Sequence, residues 1–494
     1  NISTAQAVNR AKEVGVRKVL GGGRRQLRVQ FLLETLLLVI GGVLLSVLLT
    51  ALLMTPISKV LEIPMSLQVL EQREVWLFLA ATIVAVTFLA GFYPALVLSG
   101  FSPITALKAK LTSRSARGIT LRRGLVVFQF VIAQALIIGT FLVVRQLNYF
   151  THAPMGFDKA AIVNVPFPGD SLSRTKRAYL RGRLMAIKDI RAVSYSRSSP
   201  ASDDDWYSGV KFDHSDKDAP FAAIEKWVDA NYVETYSLPL VAGRNFTKAD
   251  SIREFVVNET FVRKLGLVHP EDVLNKQLIL GDGNTTGLVV GVVKDFHQGT
   301  LKDSLQPIVM FSGPGFYKSA GIKLSGENLP AAIAAIRQVW AQVYPDYVFE
   351  YQFLDEKIAG FYKDEAKMSM FYTIFTSIAI FLSCLGLYGL ASFMAAQRLK
   401  EVGIRKVLGA TVGNIVYLFT REFMLLIGIA FLIAAPIAWY FVHQWVEQYA
   451  FRIPISGWVF VAGGMAALVI ALGTVGYQAF KAAAVNPVKN LRTE

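Results

Sequence analysis

Twelve residues, Arg10-Ala-Lys-Glu-Val-Gly-Val-Arg-Lys-Val-Leu-Gly21, recur as Arg398-Leu-Lys-Glu-Val-Gly-Ile-Arg-Lys-Val-Leu-Gly409, identical at ten positions with a constant offset of 388. Their side chains suit recognition rather than bond-making, because they offer charge and an apolar stripe and contain no nucleophile. Read as a helix, Val16, Val19 and Leu20 fall at i, i+3 and i+4, as do Ile404, Val407 and Leu408, with charge on the opposite side. Glu13 precedes Arg17 by four residues and Glu401 precedes Arg405, the favourable order for an intrahelical pair. Lys18 and Lys406 join those arginines near the negative helix end, just ahead of the stop signals Gly21 and Gly409. The spacing therefore predicts two equivalent amphipathic surface helices. Their candidate partner-binding residues are Arg10, Lys12, Glu13, Val16, Arg17, Lys18 and Leu20 in one, and Arg398, Lys400, Glu401, Ile404, Arg405, Lys406 and Leu408 in the other. Anchoring in lipid headgroups needs only basic and apolar residues. A two-fold symmetric soluble partner would require one such helix for each of its halves, so the duplication favours docking.

Little else in the sequence suits chemistry. No loop of the form G-x-x-x-x-G-K-[ST] is present; the nearest stretch, Gly313 to Ser319, lacks the glycine before Lys318. There is no G-x-S-x-G elbow and no H-E-x-x-H helix. Asp203-Asp204-Asp205 is read as an exposed acidic turn, since a cation cage needs further oxygen ligands at set spacing. Lys294-Asp295-Phe296-His297 lacks a second catalytic partner and is read as structural. The single cysteine, Cys384, excludes an intrachain disulfide framework and a cysteine-built zinc site. No catalytic residue, metal or cofactor is expected.

The elements that position the repeated motif are hydrophobic spans. The chain of 494 residues is 53% hydrophobic and only 18% charged. Six stretches, 29–54, 75–99, 124–144, 368–396, 423–446 and 457–480, are long and apolar enough to cross about 30 Å of hydrocarbon. Only Glu34 places a carboxylate or a basic residue inside any of these windows. Glu34 and Glu422 occupy equivalent repeat positions at the cytoplasmic ends and are membrane-interface candidates, Glu422 standing beside Arg421. Charge gives the orientation. Residues 147–367 carry 26 Lys+Arg against 27 Asp+Glu, so the excess of the +15 chain lies in the membrane half. The basic stretches before the first span, between the second and third, and after the fourth are cytoplasmic by the positive-inside rule. Both termini are then inside and 147–367 outside. Charge hugging the bilayer, with no recognition motif, speaks for membrane lipid and against nucleic acid.

The outer segment reads as α+β. Strand-like runs at Ala161–Val165, Leu288–Val293 and Val348–Leu354 alternate with helices, the clearest being 330–343 with Asn328 as its cap. A helix over 355–367 is expected to run unbroken into the next span as a rigid stalk. Pro94, Pro436, Gly386/Gly389 and Gly463/Gly464 predict kinks and close helix packing. The fold class is an α-helical membrane protein of six transmembrane helices with an inserted α+β extracytoplasmic domain. Its parts are expected at 1–110, 111–146, 147–367 and 368–494.

The motif, Glu34 or Glu422 after it, and the closing Asn486-Pro487-x-Lys489-x-Leu491-Arg492 together resemble the FtsX/MacB-type ABC transporter permeases. In the outer segment, Gly243-Arg244-x-Phe246, Val256-Val257-Asn258-Glu259 and Gly291-Val292-Val293-Lys294-Asp295-Phe296-His297 are similar to recurring phrases of the MacB-like periplasmic core domain. The resemblance implies two FtsX-like units, at 1–110 and 368–494, in a multi-pass protein of the bacterial inner membrane. It implies a non-catalytic permease subunit that binds a cytoplasmic ABC ATPase dimer through the repeated motif. ATP-driven closure of that dimer would move the outer domain for export or release of a substrate, such as an antimicrobial peptide, a macrolide or a lipoprotein. Comparison of the two copies leaves one span and a first outer domain unaccounted for ahead of Asn1: either the chain is the C-terminal part of a longer eight-span permease, which the start at the membrane edge favours, or that piece has been lost. A second permease copy and a periplasmic adaptor are both left open as partners. The alternative from another class is a membrane-anchored sensor that signals ligand occupancy without ATP-driven work; it would need only one output contact.

Overall fold

The computed structural model describes residues 17–20, 23–62, 64, 66–100, 114–202, 204–247, 253–281 and 285–484. Helices α1 (Arg24–Leu61), α2 (Arg73–Gly100) and α3 (Arg114–His152) come first. The inserted domain follows with strands β1 (Ile162–Pro166), β2 (Ile190–Ser196), β3 (Trp206–Phe212), β4 (Ala222–Trp227), β5 (Leu240–Gly243), β6 (Glu254–Asn258), β7 (Gln277–Leu280), β8 (Thr285–Val293), β9 (Ile308–Phe311), β10 (Ser319–Leu324) and β11 (Gln352–Phe353). Its main helices are α4 (Arg177–Met185), α5 (Leu329–Val343) and α6 (Leu354–Gly360). The chain closes with α7 (Lys363–Gln397), α8 (Leu399–Val407), α9 (Val412–Val446) and α10 (Gly457–Ala484).

Among the described residues, six helices are long and apolar enough to span a membrane: Arg24–Leu61, Arg73–Phe92, Arg123–His152, Lys363–Ala395, Val412–Val446 and Gly457–Lys481. Each contains or largely covers one of the six stretches expected from the sequence. The chain divides into two compact units, one of residues 1–142, 370–442 and 455–494, the other of 143–369 and 443–454. In the first unit, Val126 and Phe130 of α3 pack with Leu387 and Leu390 of α7, Phe423 and Ile427 of α9, and Ala471 and Val475 of α10. Small residues permit the close approach: a Cβ on Gly463 would lie 2.7 Å from Ile138, and one on Gly386 would lie 2.6 Å from Gln129. Without water to satisfy them, polar side chains pair across helices. The Gln134 Nε2 donates to the Ile427 carbonyl at 3.3 Å, and the Thr140 and Thr376 hydroxyls meet at 2.6 Å.

The described residues of the second unit form two sheets. One is antiparallel in the order β11-β1-β10-β2. The other runs β5-β8-β6-β9-β4-β3-β7, and an added β7–β8 pairing closes six of its strands into a ring. Strand β8, Thr-Thr-Gly-Leu-Val-Val-Gly-Val-Val, is β-branched and fully buried over its last five residues, as befits a strand paired on both sides. Gly291 is required there, since a Cβ would lie 2.0 Å from the Arg244 carbonyl oxygen. Helix α5 begins as the sequence predicts, with the Asn328 side chain accepting from the Ala331 N–H, and buries Ile333, Ile336, Val339, Trp340 and Val343.

Two expectations need correction. The stalk is not one helix: α6 ends at Gly360 and α7 starts at Lys363. Tyr362 is drawn into the core between them, its ring stacked on Phe150 at 5.1 Å and its hydroxyl accepting from the Leu301 N–H at 2.9 Å. That burial competes with helix continuation just where Gly360 weakens it. The strand expected over 348–354 shrinks to residues 352–353. Phe349 instead packs against Trp340 and stacks with Tyr351. In addition, residues 443–454, grouped by sequence with the last spans, pack in the outer unit: the Ala450 and Phe451 amides donate to the Lys302 and Leu301 carbonyls.

Candidate coupling surface

Helix α8 forms where the second copy of the motif predicts it and stops for the reason the sequence gives. Gly409 adopts φ +93°, its N–H donates to the Lys406 carbonyl at 3.1 Å, and the Ala410 N–H reaches the Arg405 carbonyl at 2.9 Å. This double closure is a Schellman end, which needs a residue free to enter the left-handed region. Glu401 and Arg405 form the intrahelical pair at 2.6 Å.

The two faces of α8 differ from the simple division into an apolar stripe and a charged side. Val402, 4% exposed, is wedged among Ala395 of α7, Ile415 and Phe419 of α9, and Ala479 and Ala483 of α10. Lys406, one turn further along the same face, donates from Nζ to the Ala483 carbonyl at 2.7 Å. It thus places a cation at the negative end of α10, so its head group serves the bundle. The predicted stripe points the other way: Ile404, Val407 and Leu408 are 53%, 69% and 80% exposed. Those three side chains and the Glu401–Arg405 pair form the described part of the outward surface.

At the start of α8 stands Arg398, 3.6 Å from Glu422 of α9. Glu422 also pairs with Arg123 of α3. The neighbour that the sequence suggests, Arg421, is not the partner. One carboxylate thus links α3, α9 and the turn between α7 and α8. In the sequence Arg123 is only one basic residue of the stretch between the second and third spans, because its contact with Glu422 spans 299 positions.

Of the first copy, Arg10, Lys12, Glu13 and Val16 lie outside the described residues. Arg17 donates to Gln30 Oε1 at 2.9 Å, and Gln30 Nε2 donates to Glu34 at 3.1 Å. This chain is the local counterpart of the Glu422 cluster, with glutamine as the link. Burial and the neighbouring Arg24 charge lower the pKa of Lys18. Val19 and Leu20 are 61% and 81% exposed, matching Val407 and Leu408. The side chain of Lys400 is not described. The motif therefore presents the same exposed Val-Leu pair twice.

The outer-domain residues weighed for chemistry are engaged in structure. Asp204 accepts from Arg197 and Lys318, which hold its carboxyl below the usual range. Asp205 accepts from Gln298; Asp203 lies outside the described residues. Asp295 accepts from Asn258, the Thr260 N–H and Arg263, tying the end of β8 to the short helix Glu259–Lys264 after β6. His297 stacks edge-on against Phe451 at 4.5 Å, and burial lowers its pKa against the pull of Asp295.

Comparison with known proteins matches residues 1–103 and 373–487 to the family model of the FtsX-like permease C-terminal domain. Residues 125–339 match that of the MacB-like periplasmic core domain. No curated protein matches the sequence. Among solved structures, the periplasmic region of MacB from Actinobacillus actinomycetemcomitans is 16% identical over 42% of this chain and 94% of its own, with a TM-score of 0.30. The extracellular domain of the noncanonic ABC-type transporter YknZ from Gram-positive bacteria is 14% identical over 39% and 98%, TM-score 0.27. A domain of a putative permease protein from Porphyromonas gingivalis is 14% identical over 40% and 90%, TM-score 0.27.

Proposed function

This chain belongs to the FtsX-like permeases that carry a MacB-like periplasmic core domain, and on that premise we propose that it is the membrane subunit of an ABC-type transporter whose ATP hydrolysis is done by a separate cytoplasmic ATPase dimer. The observation that carries the reading is the paired exposure of Val19-Leu20 and Val407-Leu408 at the ends of the two motif copies. Large apolar side chains at a polar surface are stabilised by a partner's groove. Two equivalent knobs suit the two halves of a symmetric dimer.

Force follows from how α8 is seated. Its outward face meets the ATPase, while Val402 on the inward face fills a pocket made by α7, α9 and α10. Packed cores transmit displacement rather than absorb it. Tilting α8 therefore shifts those helices, and Glu422 brings α3 along through Arg123. Helices α3 and α7 continue in sequence into the outer domain, as does the 443–454 connection between α9 and α10. Movement of that domain would drive export or release of a substrate. On this reading both termini face the cytoplasm and 147–367 lies outside.

Site-directed cross-linking tests the docking assignment. In a Cys384→Ser background, Leu408→Cys and Leu20→Cys should each cross-link to the ATPase in membranes, in an ATP-dependent manner, while Tyr207→Cys in the outer domain should not. Cross-linking equally absent at all three positions would refute the docking assignment.

A further inference from the structure

Strand β11 is the outer strand of its sheet, and its pairing with β1 is confined to Gln352 with Asn164 and Phe353 with Val163. The strand pattern reaches further back: Phe349, Tyr351 and Phe353 alternate with Glu350 and Gln352, and neighbouring rings along that face lie 5.5 and 5.9 Å apart. The reason the ladder stops lies in β1. Continuing its register would set Glu350 against Pro166 and Val348 against Pro168. Phe167 donates its N–H to Lys318, on the β10 side, so the two prolines stand where β1 should donate toward β11 and have no N–H to give. Residues 348–351 therefore carry the pattern of a strand without a partner on that side. By the same alternation the main-chain groups of Phe349 and Tyr351 point to the open edge, away from β1.

Beside that edge runs a groove of about 660 Å³, walled by Leu329, Ile333, Ala334 and Arg337 of α5 on one side and by Tyr351 and Phe353 on the other. No residue of β1 lines it, so it opens on the side of β11 that lacks a neighbour. Its walls are mostly apolar, and Arg337 is the one charged residue on them. That guanidinium is exposed, lies over the Phe349 ring at 5.7 Å from the centroid, and enters no ion pair among the described residues. Glu350 falls on the opposite face by strand alternation. An open strand edge flanked by a helix is the arrangement to which extended peptides add, with main-chain hydrogen bonds supplying affinity and the groove selecting alternate side chains.

We propose that the edge formed by residues 348–353 and the groove beside it bind an extended peptide segment of a partner protein, one that carries an apolar side chain and, two residues away on the same face, a carboxylate. The segment adds as a strand beside β11 and pairs with the main chain of Phe349 and Tyr351. Its apolar side chain enters between Ile333 and the two aromatic rings, and its carboxylate meets Arg337, whose planar fork accommodates both oxygens. Binding completes the strand that the sequence pattern of 348–354 specifies. The assignment is independent of the ATPase reading, since every residue in it belongs to the outer unit.

The test uses the full chain in zwitterionic nanodiscs, with empty discs as the blank. The probes are the peptide acetyl-Thr-Thr-Leu-Thr-Asp-Thr-amide, its counterpart with lysine in place of the aspartate, and hexanoate as an apolar acid without a peptide backbone. Saturation-transfer NMR should show the aspartate peptide binding about tenfold or more tightly than the lysine peptide, and tighter than hexanoate. Arg337→Gln should weaken the aspartate peptide about tenfold, as loss of one charge-assisted contact does, and should not weaken the lysine peptide. Ala334→Trp, on the exposed wall, should fill the groove and abolish binding of both peptides, whereas Arg191→Gln, exposed on β2, should change nothing. Hydrogen exchange with residue-resolved mass spectrometry reads the strand directly: at a peptide concentration about ten times its Kd, the amides of Phe349 and Tyr351 should slow about tenfold. No binding of the aspartate peptide, equal binding of the two peptides, hexanoate binding as tight as the peptide, or binding that leaves exchange at Phe349 and Tyr351 unchanged would each overturn the proposal.

Discussion

Replacing Leu20 and Leu408 together by alanine perturbs docking with little effect on the fold. Both side chains are about four-fifths exposed, at 81% and 80%, so the isolated chain gains almost nothing from them. Such surface substitutions change stability by about 0.5 kcal/mol or less. In the docked complex the same side chains are buried. Full burial of a leucine contributes about 1.5–3 kcal/mol, so covering four-fifths of it gives about 2 kcal/mol at each site. The two sites lie on different motif copies and meet different halves of the ATPase dimer, so their effects should add to about 4 kcal/mol, or about a thousandfold in affinity. Each single variant should cost about thirtyfold. Titration of the purified ATPase against nanodisc-embedded chain, read by biolayer interferometry, gives these ratios directly. Unfolding of the chain alone, followed in parallel, should be unchanged. If the double variant binds within about threefold of the parent, no more than about a sixth of the expected energy is present and the docking reasoning is wrong. The basic residues are poorer probes, because Lys406 is committed to Ala483 and Arg17 to Gln30.

Four further outcomes follow. Gly409→Ala forces a side chain into φ +93°, costing about 1–2 kcal/mol, and should speed hydrogen exchange at the amides of residues 409 and 410 about tenfold or more. Glu422→Gln removes ion pairs whose arginines are 46% and 36% exposed, so the loss of stability should stay at about 1 kcal/mol or less in denaturant titration, while stimulation of the ATPase falls. Gly291→Ala drives a Cβ into the Arg244 carbonyl and should destabilise the outer domain by about 3 kcal/mol or more, seen as a lowered urea midpoint in tryptophan fluorescence. Burial lowers the pKa of Lys226 from 10.5 to about 7, so between those values the unfolded chain binds a proton that the folded chain does not. Outer-domain stability should therefore rise with pH across that window, by at most about 1.4 kcal/mol per unit, and level off below it; Lys226→Met should flatten the slope.

What the sequence reveals and what it conceals have physical causes. The six spans are legible because hydrocarbon thickness sets a minimum length that few other helices reach. Helix α8 is legible because its charge pair, apolar spacing and terminal glycine are all local, and Glu401–Arg405 and Gly409 behave as local rules dictate. Which face of α8 turns outward is not local. The same heptad offers Val402 and the Ile404-Val407-Leu408 stripe, and the choice between them depends on where α9 and α10 place Ile415, Phe419, Ala479 and Ala483. The role of Arg123 is hidden for a similar reason, since a basic residue before a span reads as topology rather than as a partner for Glu422. The break before α7 shows tertiary structure overriding a helical pattern: Tyr362 gains more from Phe150 and the Leu301 amide than from continuing the helix.

The central claim is that this chain couples to a separate ATPase through its paired motifs, and turnover in a reconstituted system tests it most directly. ATP hydrolysis should be absent with the chain alone in nanodiscs, present at a basal rate with the ATPase alone, and clearly altered when the two are combined. The Leu20→Ala, Leu408→Ala chain should return the rate to basal. A rate that the parent chain leaves unchanged, at concentrations where both proteins are intact and soluble, would contradict the account.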